Sequence, residues 1–171
     1  VIPFSRSQTG GKLFQENFDT RSHFAEAHRS LRTALQFSTP EGMPKVLMIT
    51  STSMGEGKST TALSLAIQVA QAGKQVLLID SDLRKAALHS NLGLDNQTGL
   101  TNYLAGDANP ADITSTTEIP NLFVITSGPL PPNPAELVGS SKMAALLSLA
   151  AEKFDYVIVD GPPVLGLADA P

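Results

Sequence analysis

The chain has no cysteine and no tryptophan, and only 2 tyrosines and 7 phenylalanines in 171 residues. The missing thiols exclude disulfides, thiol catalysis and cysteine-ligated metal, and they fit a reducing compartment. Lys and Arg number 12 against 16 Asp and Glu, a net charge of −4, so the basic surplus that nucleic acid or an anionic membrane draws on is absent. No nucleic-acid partner is expected. No apolar run approaches the roughly 18 residues of a membrane span, no signal peptide opens the chain, and the segment is expected to be soluble. The sequence opens at Val1 rather than Met and stops at Ala170-Pro171, ten residues past Asp160, which reads as a piece cut from something longer. What remains is 42% hydrophobic, enough for one ordinary core and one domain.

The most informative stretch is Thr50-Ser51-Thr52-Ser53-Met54-Gly55-Glu56-Gly57-Lys58-Ser59-Thr60, between the apolar run Val46–Ile49 and a helical pattern. A strand feeding a glycine-containing loop that ends in Lys-Ser at a helix start predicts a phosphate cradle. Backbone N–H groups of Ser53–Thr60 face the anion, Lys58 reaches the terminal phosphates and Ser59 can ligate Mg²⁺. A bland turn before a helix is the alternative. Against it, a lysine in a first helical turn opposes the helix dipole unless an anion is present. The strict pattern wants glycine five places before the Gly-Lys pair, where this chain has Thr52, so the loop is a variant.

Residues 1–21 mix Pro3, Gly10, Gly11 and scattered Phe without a period and read as an arm or linker, leaving 22–171 as the domain. Over Ser22–Phe37, Phe24, Ala27, Leu31, Ala34 and Leu35 recur at helical spacing, with Glu26, Arg29, Arg32 and Gln36 opposite. Val46–Ile49, Val76–Ile79 and Tyr156–Val159 are apolar throughout, and Leu122–Ile125 is a plausible fourth run. With helices expected over 58–72 and 134–151, they predict parallel strands covered on both faces. The fold class is α/β: a P-loop NTPase-like, doubly wound, mainly parallel sheet flanked by helices, with ligands beyond the carboxyl ends of its strands.

Each of the three runs carries a polar cluster at that end. Asp80 and Asp82, two apart, can project to one side, and such paired carboxylates are costly unless a cation or a proton-transfer role compensates. A solvated strand end with Asp82 as a cap is equally open. Asp160 precedes Gly161-Pro162-Pro163, which could be a simple turn. Taken together, three carboxylates converging where the phosphate loop ends suit Mg²⁺, which takes one or two carboxylates, waters and phosphate oxygens. His23, His28 and His89 lack ligand-like spacing.

Val76-Leu77-Leu78-Ile79-Asp80-Ser81-Asp82-Leu83-Arg84 resembles the second Walker-type box of the bacterial protein-tyrosine kinases, and Tyr156-Val157-Ile158-Val159-Asp160-Gly161-Pro162-Pro163 resembles the third. Their phosphate loop is similar to Thr50–Ser59 and also lacks the first glycine. Glu26-Ala27-His28-Arg29-Ser30-Leu31-Arg32 resembles the family's Glu-x-x-Arg-x-x-Arg oligomerisation helix, and Pro131–Leu137 resembles a further family stretch. Met54 and Ala86 stand where the family commonly has Pro, and the tyrosine-rich tail is absent, leaving Tyr103 and a Tyr156 expected in a buried strand.

The resemblance implies an ATP- and Mg²⁺-dependent tyrosine autokinase, the cytoplasmic module of an exopolysaccharide or capsule co-polymerase at the bacterial inner membrane. It implies Lys58 on the phosphates, Asp80 accepting the tyrosine proton, Asp82 assisting at the metal or acceptor, and Ser59 and Asp160 at the metal. It also implies Glu26, Arg29 and Arg32 between subunits of a homo-oligomer, possibly a ring, and a transmembrane activator region, fused or separate. A solvated face is the other reading of that stripe. Tyrosines of the same or a neighbouring subunit would be acceptors. Two rivals share the sheet: a nucleotide-switch ATPase of the division-site and partitioning type, whose signature lysine is Ser53 here, and a nucleotide-bound scaffold without catalysis. On sequence alone, Lys58→Met should remove activity without disturbing packing.

Overall fold

The computed structural model describes residues 23–50 and 57–162. The proposed arm at 1–21, the loop residues Ser53, Met54, Gly55 and Glu56, Pro163, and the side chains of Phe24 and Ala27 lie outside the described residues.

In chain order the elements are α1 (His23–Gln36), β1 (Val46–Ile49), α2 (Lys58–Gln71), β2 (Val76–Asp80), α3 (Leu88–Leu92), α4 (Leu100–Leu104), α5 (Pro110–Ile113), β3 (Thr114–Thr116), β4 (Leu122–Ile125), α6 (Pro134–Val138), α7 (Ser141–Lys153) and β5 (Tyr156–Asp160). The strands form one sheet in the order β1-β5-β2-β4-β3. The β1–β5, β5–β2 and β2–β4 pairs are parallel and β3 pairs β4 antiparallel.

Alternation along the strands separates two cores. Val76, Leu78 and Ile158 face α2, packing on Leu63, Ala66, Ile67 and Ala70. Leu77, Ile79, Val157 and Val159 face the other way, onto Leu100 and Leu104 of α4 and Met143, Leu146 and Ala150 of α7. A central strand must be apolar on both sides when helices cover both faces, which is why β2 and β5 read as unbroken runs. Helix α1 lies outside α2, with Leu35 packed against the first core.

Four expectations need correction. Strand β1 occupies an edge of the described sheet, and the described residues leave one of its faces uncovered: Val46 and Met48 are 39% and 53% exposed, while Leu47 and Ile49 pack inward. Tyr156 is half-buried at the start of β5 rather than enclosed. Ala34 is exposed, since it lies at the margin of the apolar stripe of α1. The single helix expected over 134–151 is two, α6 and α7, broken at Gly139-Ser140, where Ser140 Oγ donates to Leu137 O at 2.7 Å and accepts from Met143 N–H.

Candidate phosphate-transfer site

Gly57 ends the loop in the left-handed region (φ 75°), which favours glycine, and its carbonyl accepts from Thr61 N–H at 2.9 Å, starting α2. That turn sets Lys58 and Ser59 in the first turn of the helix, beside the carboxyl ends of two strands. Parallel register places Ile49 opposite Asp160 and Asp160 opposite Asp80, so β1, β5 and β2 end together.

Here the side chains meet. Lys58 Nζ lies 2.5 Å from Asp160 Oδ1 and 3.1 Å from Asp82 Oδ2, and Ser59 Oγ donates to Asp160 Oδ2 at 2.6 Å. The lysine and Asp82 side chains are about nine-tenths buried and Asp160 is fully enclosed. Thr60 is buried behind them. Residues 78 and 102 positions apart in the chain are thus drawn onto one helix start, with Ser81 N–H and Oγ both donating to Asp160 O at 2.9 Å to lock β2 to β5.

Burial acts on these charges first. It lowers the affinity of Lys58 for its proton, but the carboxylates of Asp160 and Asp82 outweigh it and the ammonium is held above its usual range. For Asp160, burial wins over the support of Lys58 and Ser59, and its carboxyl is raised. Asp80 is pushed up to about 7 by burial, then by the charge of Asp160, against three backbone N–H donors.

Asp80 and Asp82, expected to act on one side together, have different partners. Asp82 turns to Lys58, whereas Asp80 accepts from the N–H groups of Asp82, Ala87 and Leu88 at 3.2, 3.2 and 3.3 Å. Among the described residues, no group of three or more His, Cys, Asp or Glu side chains is arranged to hold a metal ion by itself. The oxygens of Ser59, Asp160 and Asp82 nevertheless fit Mg²⁺, a hard cation that keeps several waters and shares phosphate oxygens rather than needing an all-protein cage. Arg84 and Lys85 are exposed. Glu26 is exposed on α1, away from this crevice, and Arg29 and Arg32 are half-buried.

A second cluster escaped sequence reading. Beyond β4, the Asn96 side chain accepts from Gly128 N–H at 2.8 Å and donates to Gly128 O at 3.1 Å, while Leu100 and Thr101 N–H donate to Thr126 O and Ser127 O. These bonds fasten the loop after β4 to the start of α4. The turn-rich Asn96-Gln97-Thr98-Gly99 and Ser127-Gly128 were the available signal.

A family model described as an AAA domain matches residues 44–170. The tyrosine-protein kinase YwqD of Bacillus subtilis is 45% identical over 152 residues, covering 89% of this chain and 64% of that protein, so the chain spans just under two thirds of this relative. The solved BceF tyrosine kinase domain is 31% identical with a TM-score of 0.83, covering 99% of this chain and 73% of that one. The septum site-determining protein MinD of Pyrococcus horikoshii, complexed with Mg-ADP, is further away: 28% identical, TM-score 0.62, covering 71% of this chain and 50% of that one. The mainly parallel sheet with its lysine-bearing helix start is common to a wider ATPase group, but the likeness that covers 99% of the chain is to a tyrosine kinase domain, and the chain belongs to the bacterial tyrosine-protein kinases.

Proposed function

We propose that this domain transfers the γ-phosphoryl group of ATP, with Mg²⁺, to tyrosines of its own or a neighbouring subunit. The observation that carries the reading is Lys58 bridging Asp82 and Asp160 with Ser59 on the same carboxylate. Phosphoryl transfer asks for positioning and charge neutralisation more than for covalent help. Lys58 exchanges carboxylate oxygens for phosphate oxygens, Ser59 and Asp160 would hold the metal, which would supply neutralisation of developing charge, and a carboxylate at the end of β2 takes the phenolic proton. Membership of the kinase family supports the acceptor class, since the constellation by itself suits any ATPase.

The wider setting follows the family. The domain works at the cytoplasmic face of the bacterial inner membrane, under a transmembrane activator, in the control of exopolysaccharide or capsule polymerisation, and it self-associates through Glu26, Arg29 and Arg32. No described helix is long and apolar enough to cross a membrane.

The test is transfer of labelled γ-phosphate to a Glu/Tyr copolymer and to a tyrosine-rich peptide, with Ser59→Ala and Lys58→Met as controls. Transfer that disappears in both variants supports the kinase. ATP turnover without any phosphotyrosine would instead favour a switch ATPase of the MinD kind.

A further inference from the structure

The stretch Pro131–Leu137 stands out in the sequence and has no part in the phosphate site, yet it lies at the same edge of the sheet. Strand β4 runs parallel to β2 with Ile125 opposite Ile79, so the chain leaving β4 emerges beside the turn that leaves β2. Leu83 of that turn, Ile125 and Leu137 share the second core, which ties both segments to one support. Residues 129–133 form a ledge fixed at each end. At its start the buried Gly128 is gripped through N–H and carbonyl by the Asn96 amide. At its close Asn133 O accepts from Leu137 N–H at 3.4 Å and Asn133 Nδ2 donates to Glu136 Oε2 at 2.8 Å. Proline at 129, 131 and 132 fixes φ in between and leaves Leu130 as the one N–H donor of 129–132. This stiff ledge holds Leu130 out to solvent, 66% exposed, where it serves neither core. On the neighbouring turn Arg84 and Lys85 are exposed and make no ion pair among the described residues.

We propose that Leu130 on this ledge and the Lys85 side chain form a docking surface for the acceptor segment: an extended peptide with an acidic residue beside its tyrosine and an aliphatic residue about three positions away. Reach sets that spacing. Neighbouring strands lie about 5 Å apart, so the end of β4 is about 10 Å from the end of β5, and an extended peptide covers that span in about three residues. With the phenol at the Lys58 crevice, a side chain three positions away arrives at Leu130, and the residues between pass Lys85. A pre-stiffened ledge loses little entropy when covered, and an unpaired ammonium favours carboxylate over ammonium on the peptide. The ledge carbonyls outnumber its donors, so it suits main-chain N–H groups of any sequence and discriminates through Leu130 and Lys85. The tyrosine in this account rests on the kinase reading; the acidic and aliphatic preferences rest on the surface alone.

The test uses the full-length protein and four single-tyrosine peptides, with Glu or Lys beside the tyrosine and Leu or Ser three positions away on both sides. Ratios of kcat/KM between peptides cancel any change in ATP handling. The wild type should favour Glu over Lys and Leu over Ser, each by about tenfold. Leu130→Ser should bring the Leu/Ser ratio to about one and keep the Glu/Lys ratio, and Lys85→Glu should do the reverse. Both side chains are exposed, so melting temperatures should not move. A wild type without these preferences, or variants that keep them, overturns the proposal. A second arm needs no catalysis: fluorescence anisotropy of the labelled Glu/Leu peptide with Phe in place of Tyr should give a Kd raised about fivefold by either substitution. Binding of that kind without phosphate transfer to any peptide would remove the kinase reading and support the surface. Equal Kd in all three proteins would overturn the surface itself.

Discussion

At the scale of single residues, the site is a set of charges that need one another. Lys58 neutralises a fully buried Asp160 and a nearly buried Asp82, so removing the ammonium does more than silence the phosphate loop. Lys58→Met should cost about 3 kcal/mol of stability at neutral pH, because breaking a buried pair leaves an uncompensated charge. The loss should shrink as pH falls and the carboxylates protonate. Urea denaturation at pH 7 and pH 5 checks this, and an unchanged midpoint at pH 7 would restore the view that the change touches function alone. Asp80 gives a second pH effect of defined sign. Its folded pKa of about 7 exceeds its ordinary 3.8, so the folded state binds the extra proton. Its contribution is complete below about pH 4 and is lost as pH rises towards 7, by on the order of 4 kcal/mol at most. Because Asp160 is raised as well, the difference between proteins isolates the group. Without nucleotide or metal, the melting temperature of the wild type should fall more steeply between pH 5 and 8 than that of Asp80→Asn. Parallel curves would mean that the Asp80 charge is well solvated by its three N–H donors.

At the scale of elements, the junction after β4 makes a sharp prediction. Gly99 is extended (φ −166°), so its backbone would suit any residue, but a Cβ there would run into Thr126 O and Gly128 N. Gly99→Ala should destabilise by about 2 kcal/mol through forced displacement of main chain. Equal denaturation midpoints would show that the loop simply slides aside. This contact also marks the limit of sequence reading. The buried strands were legible because burial on both faces writes an unbroken apolar run, as in Val76–Ile79 and Val157–Val159, and the meeting of Lys58, Ser59, Asp82 and Asp160 followed from parallel strands ending at one edge. Strand β3 was not legible: Thr114-Ser115-Thr116 is short, polar and paired only with β4. Nor was the edge position of β1, which depends on strand order, since Val46–Ile49 is as apolar as a central strand. The partners of Asp80 are backbone amides up to eight residues away, and donors of that kind leave no trace in residue identity.

At the scale of the whole molecule, the proposed self-association would act through α1. It packs on α2, the helix whose first turn carries Lys58 and Ser59, so contacts made by α1 lie one helix from the phosphate site. Its stripe is uneven: Glu26 is exposed, whereas Arg29 and Arg32 are half-buried, and Arg32 Nε is enclosed without a hydrogen-bond partner among the described residues. Arginine stems held in this way contribute packing as well as charge. Replacing both by Ala should therefore lower monomer stability along with self-association, which makes the pair a poor probe of assembly. Glu26→Lys is cleaner. It reverses an exposed charge away from the α1–α2 contact, so the monomer should lose only the dipole support of a first-turn acid, about 1 kcal/mol or less, while self-association weakens about fivefold at low salt, the effect of roughly 1 kcal/mol. Because such charges are screened, the gap between the two proteins should close as salt approaches 1 M. Sedimentation of the wild type and Glu26→Lys across a salt series reads this directly, with the full-length protein used so that partner tyrosines are present. Weakened assembly should bring a matching loss of transfer between subunits, since a tethered tyrosine reaches a neighbouring site only at the high effective concentration that an assembly provides. Identical association at every salt level would make the stripe a solvated face, and transfer that persists in the dissociated protein would place acceptor and site within one subunit.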